Sequence, residues 1–94
     1  NISNYLGATK IMIHKIYSVF DSKGESYTPP FIDHAEGRAL RTFADCCNDE
    51  NHQFGKHPED YTLFFMGTFD DDTGSIVQDK ITSVATGHTT LEKK

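Results

Sequence analysis

The chain has 94 residues, which gives room for one domain and a modest core. A hydrophobic share of 36% with 12% aromatics excludes wholesale disorder. A net charge of −5 has the wrong sign for a protein that coats nucleic acid through lysine and arginine.

In chain order, residues 1–11 are polar and weakly patterned and are expected to form an N-terminal extension. Ile11–Phe20 is rich in β-branched and aromatic residues and carries apolar groups on both alternating faces, which predicts a central strand. Asp21-Ser22-Lys23-Gly24 is a polar turn ending in glycine, and Glu25–Thr28 returns as a short strand. Pro29-Pro30 stops that strand, since neither residue can donate to a ladder.

A helix is expected next. Asp33 and Glu36 have capping-box spacing, and Ala35, Ala39, Leu40, Phe43, Cys46 and Cys47 fall near one helical face. Arg38, Arg41 and Asp45 fall toward the other. Gly37 costs about 1 kcal/mol relative to alanine within a helix, which suggests a strand passing close. Asn48-Asp49 ends the helix, and 51–59 is a polar loop carrying His52 and His57. Tyr61–Phe69 is the second strong strand. Gly74 closes its turn where positive φ is needed, and Ser75–Gln78 returns.

The order β-β-α-β-β predicts an α+β fold, one helix packed on one face of an antiparallel sheet. Ile13–Phe20 and Thr62–Thr68 are expected at its centre. Residues 12–79 form this domain, and 80–94 a loosely packed tail. Self-association is expected as well, because a core this small gains from added burial.

No motif carries chemistry. An EF-hand loop has glycine sixth and glutamate twelfth; counted from Asp70, glycine comes fifth and the twelfth residue is Ile81. Cys46 and Cys47 are adjacent, which suits neither a disulfide nor joint zinc ligation with His52 and His57. On a packed helix face they are inert thiols rather than a nucleophile beside a base. We therefore expect no enzyme activity, no cofactor and no bound metal. The candidate interaction surface is Arg38, Arg41, His52, Phe54, Lys56, His57 and Tyr61. Its cations could meet phosphates and its aromatics could stack on single-stranded bases. The simpler account pairs the arginines with nearby carboxylates and puts the aromatics in the core.

No apolar run nears the roughly 20 residues that span a bilayer, and no leader pattern of basic start, apolar stretch and small-residue cleavage site is present. A cytosolic protein without membrane contact is expected.

Several stretches together carry a resemblance. They are Lys15–Lys23, Tyr27-Thr28-Pro29-Pro30-Phe31, Ala39-Leu40-Arg41-Thr42-Phe43, His52–Phe64 and Gly67-Thr68-Phe69-Asp70, with Lys56-His57-Pro58-Glu59-Asp60-Tyr61-Thr62-Leu63-Phe64 the most specific. Over about residues 12–79 the chain resembles the small nonstructural proteins of gokushoviruses, single-stranded DNA phages of the Microviridae. The resemblance implies a host-cytoplasmic protein absent from the virion, serving the switch to single-stranded genome synthesis and packaging. Together with the acidic balance and the missing catalytic set, it points to the phage replication initiator or a host replication protein as the partner, with weak single-stranded DNA binding through Arg38, Arg41, Lys56 and the loop aromatics as the alternative. It implies no catalytic or metal residues.

Overall fold

The computed structural model describes residues 13–92. The expected extension at 1–11 lies outside them.

The β-branched and aromatic run becomes β1 (Ile13–Asp21). Its turn is held by the Asp21 carboxylate, which accepts from the backbone N–H groups of Lys23 (2.9 Å) and Gly24 (3.1 Å). Glu25, not the glycine, takes the left-handed conformation, with φ 54°. Gly24 instead leaves room for the Asp21 carboxylate, 2.9 Å from where a Cβ would stand.

The return is interrupted. β2 (Ser26–Tyr27) and β3 (Phe31–Asp33) both pair antiparallel with the same edge of β1, with Thr28-Pro29-Pro30 between them. Thr28 bridges the gap. Its N–H donates to the Val19 carbonyl (2.8 Å), and its hydroxyl accepts from the Val19 N–H (3.0 Å). Its carbonyl takes the hydroxyl proton of Ser18 (2.7 Å), which satisfies that buried side chain.

β3 occupies residues expected to lead the helix, so α1 (Glu36–Cys47) starts later than a cap at Asp33 would place it. The N-cap is Ala35, with no side-chain cap, and Asp33 makes only a long bond to the Ala35 N–H (3.4 Å). A Cβ on Gly37 would meet nothing within 4 Å, so no strand passes there. The helix ends at Asn48, as expected. A short helix α2 (Gln53–Lys56) and a 3-10 turn (Pro58–Asp60) lead into β4 (Tyr61–Asp70). Gly74, at φ +77°, turns the chain into β5 (Ile76–Thr86).

The sheet order is β2-β1-β4-β5, with β3 beside β2 on β1, so the two strongest strands are central as expected. β5 is far longer than the expected Ser75–Gln78 strand and runs through the stretch expected to be a loose tail. The chain then forms a 3-10 turn (Gly87–Thr90) docked on α1. There Asn48 donates to the Thr90 carbonyl (3.0 Å) and accepts from the Glu92 N–H (2.8 Å).

One face of the sheet carries the core. Tyr17 and Val19 of β1 stand opposite Phe65 and Leu63 of β4. Ala39, Phe43 and Cys47, four residues apart on α1, cover them, and Phe31, Leu40, Phe54 and Val84 pack at the margin. The result is the α+β fold the sequence predicted, with α1 on one side of an antiparallel sheet.

Candidate functional site

Strand alternation puts a second set of side chains on the face that α1 does not cover. From the register these are His14, Ile16, Ser18 and Phe20 on β1, Tyr27 on β2 and Ile32 on β3. β4 adds Thr62, Phe64, Met66 and Phe69, and β5 adds Ile76, Gln78 and Ser83. None of these is lysine, arginine, aspartate or glutamate, in a chain that carries 23 such residues (9 basic plus 14 acidic), although Asp71 reaches the His14 end and Asp79 and Lys80 border the face in the β5 bulge.

Aromatic rings gather at one end of this face. Phe20 and Tyr27 are 4.9 Å apart, and the Phe64 ring stands edge-on to both, at 6.4 and 5.8 Å. At the other end His14 contacts His34 (4.3 Å) and Phe69 (5.8 Å), and its Nε2 meets the Asp71 carboxylate at 2.9 Å. Between them lies an apolar groove of about 300 Å³ lined by Ile16, Pro30, Met66, Gly67, Ile76, Val77 and Gln78.

The groove follows from a bulge. β1 pairs Ile16 with Gly67 but Tyr17 with Phe65, which leaves Met66 as an extra residue. On the other side of β4, Phe65 pairs with Thr82 and Gly67 with Gln78, so Met66 alone spans Asp79, Lys80 and Ile81.

The candidate surface read from sequence lies on the helix layer, on the opposite side. Arg38 and Arg41 are exposed on α1, with Arg38 Nε 3.5 Å from Asp33. Lys56 is exposed at the end of α2, and His57 lies 3.8 Å from Glu59. The aromatics of that surface face inward. Tyr61 is in the core and accepts a bond from Gln53 (2.8 Å), and Phe54 packs on Tyr61 (4.4 Å) and Phe43 (6.0 Å). His52 caps α2, its Nδ1 accepting from the Phe54 N–H (3.0 Å). The structure thus leaves Arg38, Arg41, Lys56 and His57 exposed, while Tyr61 is buried and Phe54 is partly buried against the core.

The remaining chemistry is sparse. Burial pushes both thiols up, Cys46 further through Asp45 and Asp49, and Cys47 against a bond to Thr90 that lowers it. Each is thus poor in thiolate at neutral pH. Among the described residues, the ligand atoms of His57, Glu59 and Asp60 lie within 4.8 Å of one another, and no such group includes a cysteine. In the acidic turn, Asp70 accepts from the N–H groups of Asp72 (2.9 Å) and Thr73 (3.4 Å). No helix among the described residues is long and apolar enough to cross a membrane.

The open face was absent from the sequence-based candidates, although its signal was present. Ile11–Phe20 is apolar on both sides, and a single helix can cover only one of them.

No curated protein and no solved structure matches the chain. A family model described as Phage ORF5 protein matches residues 14–90, from the second residue of β1 through the turn that docks on α1. That span takes in the helix layer and all of the sheet but Ile13, and the chain belongs to the Phage ORF5 protein family.

Proposed function

We propose that this phage protein is a nonstructural accessory factor that acts by protein–protein contact in the host cytoplasm, in the switch to single-stranded genome synthesis or packaging. In this reading it performs no catalysis. Its partner is the phage replication initiator or a host replication protein. One observation carries the contact reading: an aromatic and aliphatic sheet face, poor in formal charge, is left without a helix over it on a small acidic protein. Such a patch is the ordinary mark of a protein interface. Phosphate would demand cations there.

The rival is weak binding of single-stranded DNA through Arg38, Arg41 and Lys56. It needs stacking rings near those cations, whereas Tyr61 is buried and Phe54 packs against the core.

Co-purification from infected cells tests the proposal. The wild-type chain is expected to bring down a replication protein, and Ile32→Asp on the open face is expected to cut recovery about tenfold. Recovery of no replication protein overturns the replication role. Recovery unaffected by Ile32→Asp moves the contact elsewhere. Anisotropy with a single-stranded oligonucleotide is expected to show no binding that weakens with salt.

A further inference from the structure

We infer that the open face is covered by a second copy of this chain, giving a two-fold dimer with the two sheets packed face to face and the helices outside. This rests on the reading of that face as a protein contact and names what first occupies it.

Three observations select a second copy. The first is charge. Each chain carries −5, and two like-charged copies associate most easily through a surface poor in formal charge, here with Asp71 only at the His14 end and Asp79 and Lys80 at the β5 border. The second is area. A ladder about ten residues long and four strands wide has a flat footprint on the order of 600 Å², which side-chain relief brings near the roughly 800 Å² per partner of stable interfaces.

The third is shape. The Phe20, Tyr27 and Phe64 rings and the groove at Ile16 and Met66 lie along the same strands, with Phe20 and Ile16 four residues apart on β1. A two-fold axis lying between the two sheets, parallel to them and perpendicular to the strands near Ser18, sets the aromatic end of each copy over the groove of the other. One patch then supplies both projection and recess, which an isologous interface requires. Tyr27, 45% exposed, and Ile32, 51% exposed, go from water to contact. At 19 Å the single chain is two layers thick, and pairing gives the sheet the second cover it lacks.

The test is light scattering on the purified wild-type chain across concentration, with half-labelled samples for intermolecular NOEs. A dimer is expected with a Kd of about 10 µM or tighter. NOEs are expected between the Tyr27 ring of one copy and the Ile16 and Met66 methyls of the other. Tyr27→Asp and Ile32→Asp, both at exposed positions, are expected to keep the native circular dichroism and to be monomeric. Arg41→Asp on the helix layer is expected to stay dimeric.

A monomeric wild type at about 500 µM overturns the inference, as do intermolecular NOEs confined to β5 or to α1. These outcomes separate from the proposed function. A monomer that still recovers a replication protein through an Ile32-dependent contact removes the dimer and keeps the role. A dimer that recovers none does the reverse.

Discussion

Tyr17 carries the largest polar liability in the core. Its ring is fully buried between Phe31 (5.9 Å) and Phe65 (5.8 Å), and its hydroxyl has no hydrogen-bond partner among the described residues. An unpaired buried hydroxyl loses its water without return. Tyr17→Phe is therefore expected to raise stability by about 1 kcal/mol, seen as a higher urea midpoint at unchanged slope. A comparable loss would mean that the hydroxyl is bonded in solution. Burial first, then the Glu36 and Asp33 carboxylates, raise the pKa of Tyr17 from 10.0. The folded chain thus holds this proton after the unfolded chain has released it, so stability falls as pH rises past about 10. The phenylalanine variant is expected to flatten that alkaline decline. Sequence marks Tyr17 as a strand residue but is silent on whether its buried hydroxyl is paired.

At the scale of elements, local patterning and long-range packing divided the result. β1, β4 and α1 were legible because each carries a periodic apolar stripe, and Ala39, Phe43 and Cys47 are buried at the expected spacing. β3 was not legible. Pro29-Pro30 ends a ladder in local terms, yet Thr28 carries the pairing past them and Phe31 rejoins it through a ring contact with Tyr17. β5 was cut short at Gln78 because Asp79 and Lys80 break its apolar alternation, and both sit in the bulge opposite Met66. Gly67 anchors that irregularity. A Cβ there would collide with the Val77 carbonyl, so close does β5 approach. Gly67→Ala is expected to cost about 2 kcal/mol, because the β5 backbone and not a flexible side chain would have to move. Hydrogen exchange localises the effect: faster exchange along β5 than along β1 is the expected pattern, and uniform loosening would contradict it.

For the whole molecule, the segment after Asp79 is structural. Val84 packs on the core, Gly87 is buried against Pro58, and Asn48 ties α1 to Thr90 and Glu92. A chain ending at Asp79 is expected to lose cooperative unfolding, read as a sloping melt without a transition; a sharp melt would show that the shorter domain folds alone. Of the candidate surface, Arg38, Arg41, Lys56 and His57 are exposed, whereas Tyr61 is buried and Phe54 packs partly against the core. The two outer edges of the sheet have a further consequence. One is broken at Pro29-Pro30 and the other swings out through Asp79 and Lys80, so neither offers a straight run of free backbone as a template. Strand addition at an edge leaves a fresh edge and continues without limit, whereas burying a face uses that surface up. A phage protein built this way can be made in quantity inside its host with growth into fibres closed off by the outline of its own sheet.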